Sequence, residues 1–152
     1  MAGRSTSLQL LNVLDKWTEA LDKGNEIDCV YMDYKKAFDT VPHNRLLSKL
    51  KSYGIKLNVI EWIQSFLIGR LQHVQVNNCC SEWAAVTSGI PQGSVLGPTL
   101  FIIYINDLPD LVSSDLYLFA DDTKIFSINP TSAQPLALQN DLEILTTGSN
   151  TW

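Results

Sequence analysis

The sequence predicts an α+β fold in which an antiparallel sheet packs on helices, and three observations lead to this class. Leucines recur at helical spacing in several segments. Short, largely apolar and β-branched runs lie between them, as is typical of buried strands. No repeat or linker-like stretch divides the 152 residues, a length that suits one domain. We therefore expect a single domain over residues 1–152.

Helical patterns appear over residues 8–21, 42–54, 58–69, 96–108 and 136–145. Residues 5–7, which are Ser-Thr-Ser, are cap candidates for the first helix. Pro42 suits the first position of the second helix. Asn58, with Glu61 three residues later, resembles a capping box at the start of the third. The fourth is apolar nearly all round, which predicts a buried helix.

Strands are predicted over residues 27–32, 71–76, 82–87, 116–119 and 124–128. The first is short and apolar, as a buried strand would be, and Asp33 lies at its end. The second alternates, Asn77 and Asn78 mark a turn, and the third returns as its hairpin partner. Residues 88–94 form a loop by composition. Residues 120–123 are expected to form a tight turn between the last two strands.

The composition, 45% hydrophobic and 18% charged, excludes a disordered or collagen-like chain. Three cysteines, two of them adjacent at 79 and 80, fit neither a disulfide framework nor a zinc site, so we expect Cys79 and Cys80 to serve in packing. We find no signal-peptide pattern. The longest apolar run, residues 100–105, is too short to span a bilayer. A soluble, intracellular chain without membrane contact is expected.

The net charge of −5 is unusual for a protein that binds nucleic acid, because Lys and Arg supply most of the affinity for a phosphate backbone. The charge is unevenly distributed, however. Ten of the eleven basic residues lie at or before Arg70, together with eight acidic ones, whereas Lys124 is the one base after it. Any nucleic acid should therefore contact mainly the first half, and the acidic second half should hold cations or face away.

Two acidic features point to chemistry. Asp121 and Asp122 stand at the tip of a predicted hairpin, and Asp33 ends a predicted buried strand. If these strands pair in one antiparallel sheet, three carboxylates reach one edge, as two Mg²⁺ ions need for in-line phosphoryl transfer. Taken singly, each pattern is better explained by ordinary structure: Asp-Asp by turn chemistry, and Asp33 by a helix cap before Lys35. His43 and His73 fit surface or helix-start positions better than metal ligation.

Taken together, three motifs resemble those of LINE-type (non-LTR retrotransposon) reverse transcriptases. The sequence VYMDYKKAFD at residues 30–39 resembles their first palm motif, and SGIPQGSVLGP at residues 88–98 resembles their second. The sequence FADD at residues 119–122 is similar to the aromatic-x-Asp-Asp hairpin of reverse transcriptases in general. Order and spacing match as well. The resemblance implies a palm-type antiparallel sheet within a right-hand polymerase architecture, without the thumb and most of the fingers.

The resemblance also implies roles for individual residues. Asp33 and Asp121 match the two metal-ligating aspartates, and Asp122 matches a third, weaker ligand. Phe38 matches the side chain that stacks under the incoming sugar and excludes a 2′-hydroxyl, which favours dNTP over rNTP. The implied substrate-binding set is completed by Tyr34, Gln92 and Gly93. The implied cofactor is a pair of Mg²⁺ ions, for which Mn²⁺ is a substitute.

The function implied is RNA-directed DNA polymerisation on an RNA template and DNA primer, with dNTP as substrate. A ribonucleoprotein in the nucleus or cytoplasm is the implied location, and exposed palm faces are expected to favour self-association. An RNA-dependent RNA polymerase or an intron-encoded relative would share the metal site, but Phe38 and the long match to LINE motifs disfavour both.

The sequence also departs from the family pattern. It begins after most of the fingers, with Arg4 as the one candidate fingers or template contact, and it ends before the thumb. Gly148 stands where related sequences often carry Trp, and no endonuclease region precedes the palm. These departures favour a competing interpretation: a catalytically inactive, decayed or domesticated fragment that at most binds nucleic acid or a protein.

Overall fold

The computed structural model describes residues 5–129 and 136–148. Arg4, the candidate fingers contact, lies outside the described residues. The elements in chain order are α1 Thr6–Asp22, β1 Glu26–Asp33, α2 Ala37–Thr40, α3 His43–Ser52, α4 Leu57–Leu67, β2 Leu71–Gln72, β3 Gln75–Val76, β4 Cys79–Cys80, β5 Ala84–Ala85, α5 Gly97–Ile105, a 3₁₀ turn Leu108–Leu111, β6 Asp115–Phe119, β7 Asp122–Asn129 and α6 Leu136–Gly148. The expected α+β class is confirmed.

The chain divides into two compact units. The first, here the sheet unit, comprises residues 1–34 and 107–151, and the second, the helical unit, comprises residues 35–106. A division into compact units does not test the prediction of one domain over residues 1–152, which stays a prediction. In the part of the chain that the structure describes, no helix has both the length and the apolarity to cross a membrane.

The sheet unit is built on three antiparallel strands in the order β1-β7-β6. The central strand β7 carries Ile125 and Phe126, both fully buried. Trp17 of α1 meets Phe126 edge-on, with ring centroids 5.6 Å apart, and Tyr117 of β6 stacks on the same ring. Because adjacent residues of a strand face opposite sides, burial of both Ile125 and Phe126 shows that both faces of β7 are covered.

The helical unit has its own apolar core. Helix α3 is strongly amphipathic and buries Leu46, Leu47 and Leu50, because these positions recur on one face. It packs against α4 and α5. The remaining core side chains of this unit are Ala37, Val41, Ile60, Ile63, Leu67, Ile90, Leu100, Phe101 and Tyr104.

Most predicted elements are confirmed, with bounds shifted by a few residues. The Ser5 hydroxyl caps α1 by accepting a hydrogen bond from the Leu8 amide. Pro42 immediately precedes α3. The fourth predicted helix ends early, at Ile105, and the chain continues into a 3₁₀ turn. That helix is also less buried than expected, since Ile102 is exposed.

Three local expectations are wrong, and a fourth is confirmed only in part. Lys56, not Asn58, caps α4, and the Asn58 side chain accepts from the neighbouring Val59 amide, so no capping box forms. The predicted hairpin does turn at Asn77 and Asn78, both with positive φ, but its pairing is divided into two ladders of two residues per strand, β2-β5 and β3-β4. Cys79 and Cys80 are exposed rather than packed. Of the four residues expected in the turn at 120–123, the last two belong to β7.

Candidate active site

The register of β1 on β7 places Asp33 directly opposite Asp122. Side chains of directly paired residues lie on the same face of a sheet, with Cβ atoms roughly 4.5–5.5 Å apart. Both carboxylates are exposed. The ion pairs formed by the described residues, Lys16–Asp115 and Glu19–Lys23, involve neither of them. The strand ends thus hold two like charges together without a basic partner from the described residues.

Asp121 lies in the two-residue connection between β6 and β7, after Ala120. Ala120 adopts a φ of 53°, in the left-handed region that non-glycine residues rarely enter. Backbone strain of this kind is often found at functional sites. The connection is tight because Phe119 pairs with Asp122 across it. Asp121 is therefore held next to the Asp33–Asp122 pair by the chain itself, and it is half-buried.

The three aspartates do not form a closed metal cage. Within residues 5–129 and 136–148, no group of three His, Cys, Asp or Glu side chains is placed to hold one metal ion. The donor chemistry nevertheless fits Mg²⁺, which prefers carboxylate oxygens and keeps several waters. Two carboxylates opposed across a ladder and a third next to them in sequence supply such donors. The structure brings Asp33 and Asp122 together, and Asp121 is adjacent.

A pocket of about 580 Å³ lies between α1 and this face of the sheet. The ends of β1 and β7 line it, with Tyr31, Asp33, Asp122 and Lys124 on the face of the sheet that α1 covers. The Lys124 ammonium lies 4.8 Å from the centre of the Tyr31 ring, which stabilises a cation by its quadrupole. The pocket therefore joins the carboxylate pair to aromatic walls and one cation.

Tyr34 follows β1 and is half-buried. Burial raises the pKa of its phenol, and the nearby Thr123 hydroxyl opposes part of that rise. Neither hydroxyl reaches hydrogen-bond geometry with another described group. Tyr34 thus lies close to Thr123, the neighbour of Asp122, but its role as a substrate-binding residue stays a prediction.

The other expected substrate-binding residues belong to the helical unit. Phe38, in α2, is half-buried and stacks on Phe101, with centroids 4.1 Å apart and planes 21° from parallel. The stack holds the ring in one orientation. Gln92 is exposed and donates from Nε2 to Asp39 Oδ1 over 3.1 Å. Gly93 has a φ of +78° and no atom within 4 Å of a built Cβ. A glycine is needed there for backbone conformation and not for space.

Gln92 and Gly93 belong to the loop at residues 88–94, and the residues that hold this loop in place were not predicted from the sequence. Gly89 has a φ of +87°, and a Cβ on it would lie 2.7 Å from the Asp39 carbonyl oxygen. His43, expected at a surface or helix start, is indeed the first residue of α3 but is 6% exposed. His43 and Arg70 both contact the Gly89 carbonyl. The sequence signal was slight: a histidine directly after a helix-starting proline, and the one arginine that follows α4.

The comparisons with known proteins identify the class. Residues 3–152 match the family model described as reverse transcriptase (RNA-dependent DNA polymerase), so the chain belongs to this family. The relatives are RNA-directed DNA polymerases of non-LTR retrotransposons, so the family expected from the motifs is confirmed.

Among the relatives, the chain is 39% identical over 105 residues, or 69% of its length, to the RNA-directed DNA polymerase from mobile element jockey of Drosophila funebris. It is 31% identical over 99% of its length to a probable RNA-directed DNA polymerase from transposon BS of Drosophila melanogaster. It is 34% identical over 80% of its length to a similar protein from transposon X-element of the same species. The chain spans only 11%, 17% and 14% of these three proteins, respectively.

Proposed function

We propose that this chain is the palm, with a remnant of the fingers, of an RNA-directed DNA polymerase that adds dNTPs to a primer 3′-hydroxyl on an RNA template. The observation that carries the proposal is the register of β1 on β7, which opposes Asp33 and Asp122 next to Asp121. Opposed like charges destabilise a sheet. A protein gains from such an arrangement when cations are to be bound there.

In this proposal Asp33 and Asp121 bind the metal ions and Asp122 supports them. A pair of Mg²⁺ ions, or Mn²⁺ in their place, would activate the 3′-hydroxyl and offset the charge of the reacting phosphate. The new bond joins the 3′-oxygen to the α-phosphorus, and the bond to the leaving pyrophosphate breaks. The task of the protein is to hold these carboxylates on rigid strands, since catalysis of this kind rests on positioning.

Phe38 would select the sugar. Its ring cannot move freely because it stacks on Phe101, so a 2′-hydroxyl placed against it would clash rather than displace it. Gln92 and Gly93 would lie beside the nascent base pair. Gln92 is exposed even though its amide donates to Asp39, and the space around Gly93 is open, so a substrate can reach both residues.

The template and primer would be bound mainly through the helical unit. Residues 35–106 contain seven Lys and Arg against three Asp and Glu. Of these basic residues, Lys35, Lys36, Arg45, Lys51 and Lys56 are exposed. Affinity for a phosphate backbone comes chiefly from such residues and falls steeply with salt.

Primer extension on an RNA template with dNTPs and Mg²⁺ tests the proposal. We expect extension by the wild-type chain, and a loss of at least about a hundredfold in Asp33→Asn and in Asp121→Asn, because each removes a metal ligand. Asp110→Asn is the matched control, since it removes an exposed carboxylate from the same unit, in the 3₁₀ turn and outside the strands and the connection that carry the three aspartates. Electron paramagnetic resonance of bound Mn²⁺ should show the same order of effects.

A folded wild-type chain that neither extends a primer nor binds Mn²⁺ would refute the polymerase proposal. Salt-sensitive binding of an RNA–DNA duplex without extension would instead favour the competing function, an inactive nucleic-acid binding module. The basic helical unit is the observation that favours that second candidate.

Self-association is also part of the proposal. Helix α1 exposes Leu8, Leu11, Leu14 and Leu21, each at least half exposed. Exposed apolar side chains of this kind favour association. Sedimentation velocity should show dimers or larger species for the wild type and fewer for Leu11→Gln/Leu14→Gln. Equal sedimentation of the two proteins would contradict it.

A further inference from the structure

The loop at residues 88–94 is fastened to α2 by the main chain. The Gly89 amide donates to the Val41 carbonyl over 2.9 Å, and the Ile90 amide donates to the Phe38 carbonyl over 2.8 Å. The Ser88 hydroxyl donates to the Asp39 carbonyl over 2.9 Å. The loop that carries Gln92 is therefore tied directly to the backbone of Phe38.

The Gly89 carbonyl, on the other side of the same residue, accepts from two side chains. His43 Nε2 lies 2.8 Å from this oxygen, and Arg70 Nη2 also lies 2.8 Å from it. A carbonyl can only accept, so the His43 tautomer must carry its proton on Nε2. The 3.4 Å separation of Arg70 Nη2 from His43 Nε2 is then an approach of two donors that share one acceptor.

Arg70 is itself held in place. Its Nε donates to the Leu67 carbonyl at the end of α4 over 2.8 Å. One planar guanidinium thus links the end of a helix to the loop, which a lysine could not do with the same geometry. His43 is anchored at the start of α3 and is almost fully buried. His43 is thus held by α3, and Arg70, which follows α4, is held by its bond to the end of that helix.

We propose that His43 and Arg70 are positioning residues that hold the Gly89 carbonyl and so fix the Gln92–Gly93 loop against Phe38. This inference rests on the proposed function for its consequence, which is selection of the incoming nucleotide. The hydrogen bonds from His43 and Arg70 to the Gly89 carbonyl, here called the brace, lie within residues 35–106 and can be measured without catalysis. Neither His43 nor Arg70 is among the proposed metal-binding or substrate-binding residues.

Amide hydrogen exchange in the full 152-residue chain, followed by NMR, tests the brace. The Gly89 and Ile90 amides report on docking of the loop, because each donates across to the segment around α2. In Arg70→Gln and in His43→Ala we expect these two amides to exchange about tenfold faster, as loss of a charge-assisted or buried hydrogen bond allows. The amide of Leu50, a buried residue in the last turn of α3, should keep its wild-type rate.

Matched variants separate the brace from charge and from general stability. Lys51→Gln removes one exposed positive charge from the same unit and should leave both loop amides unchanged. His43→Gln keeps an amide donor near the Nε2 position and should restore much of the protection that His43→Ala loses. Arg70→Lys keeps the charge but cannot bond Leu67 and Gly89 together, so it should resemble Arg70→Gln.

Wild-type exchange at Gly89 and Ile90 in both Arg70→Gln and His43→Ala would overturn the inference. So would an equal acceleration at Leu50, because that result means general destabilisation without a local role. If the wild-type chain extends primers, the brace variants should raise the KM for dNTP by about tenfold and change kcat less. They should also discriminate less well against rNTP. Without any extension the exchange result still decides the brace, so the two proposals fail separately.

Discussion

The two units of this molecule treat their polar groups in opposite ways. The sheet unit, residues 1–34 and 107–151, contains thirteen Asp and Glu against four Lys and Arg, and it leaves Asp33 and Asp122 opposed and unpaired by described bases. The helical unit is basic, and its loop at residues 88–94 is hydrogen-bonded through both the amide and the carbonyl of Gly89. The sheet unit thus leaves carboxylates accessible to cations, whereas the helical unit fixes the backbone of its loop by hydrogen bonds.

This contrast explains why the low net charge does not exclude a nucleic-acid enzyme. The value of −5 is the sum of −9 for the sheet unit and +4 for the helical unit. Local charge determines binding of a phosphate backbone or of a cation, because charges separated by more than about 10 Å are largely screened at 0.1 M salt. The contrast between the units can be tested by substitutions at Gly89 in the helical unit and at Asp141 and Asp33 in the sheet unit.

The largest effect is expected at Gly89. Gly89→Ala places a methyl group 2.7 Å from the Asp39 carbonyl at a φ of +87°, so both packing and backbone conformation oppose it. We expect a loss of about 3 kcal/mol or more in the free energy of unfolding. Gly93→Ala is the control, with a similar φ but open space, and should cost only about 1 kcal/mol. Urea titration followed by circular dichroism measures both, and equal losses would contradict the packing argument.

The next largest effect is expected at Asp141, a buried carboxylate in α6 of the sheet unit. Its carboxylate is 3% exposed and accepts from the Ser113 amide over 3.0 Å and the Ser114 amide over 2.7 Å. Asp141→Asn presents an NH₂ group to one of these donors. We expect a loss of about 2–3 kcal/mol, the cost of a buried donor left unsatisfied. Glu143→Gln, on the exposed side of α6, should change stability little, and an equal loss there would refute this assignment.

Acid should weaken the sheet unit through the same residue. Burial alone would raise the pKa of Asp141, but the hydrogen bonds from Ser114 and Ser113 outweigh it and hold that pKa below the ordinary 3.8. A lowered pKa in the folded state means that the unfolded chain binds more protons, so this stabilisation is complete above pH 3.8 and is lost on acidification below it. Unfolding free energies measured from about pH 5 to 2 should fall more steeply for wild type than for Asp141→Asn. Parallel curves would contradict the shift.

The smallest effect, and of opposite sign, is expected at the carboxylate pair. Without divalent cations, Asp33→Asn removes a like-charge repulsion and should stabilise the chain by less than about 1 kcal/mol. Added Mg²⁺ should stabilise the wild type and leave the variant unchanged. Thermal unfolding with Mg²⁺ and with a chelator measures both. A wild type that is indifferent to Mg²⁺ would argue against a metal site at this edge.

Much of the secondary structure could be predicted because its determinants are local. Ser5 is a short polar residue directly before a helical pattern of leucines, and it caps α1 as such residues commonly do. Leu46, Leu47 and Leu50 recur at helical spacing and lie on one face of α3. The site was predictable in outline for a related reason. A carboxylate at the end of one buried strand and two at a hairpin tip must meet if those strands pair, and β1 does pair with β7.

The rest depended on contacts between residues distant in sequence. The capping box at Asn58 failed because α4 begins one residue before it, at Leu57, with Lys56 as the cap. Cys79 and Cys80 resemble core residues by type, but their ladder with β3 is exposed on the described surface. No local pattern reports that a glycine carbonyl will meet a histidine 46 residues before it.

The sequence by itself determined the class of protein, most of the helices and strands, and the candidate carboxylates, because periodicity and motif order depend on neighbouring residues. Tertiary structure alone decided the register that opposes Asp33 to Asp122, the strained Ala120 connection, and the shared hold of His43 and Arg70 on Gly89. The physical reason is that register and side-chain hydrogen bonds are set by the packing of whole faces. A shift of one residue would exchange those faces without altering any local propensity.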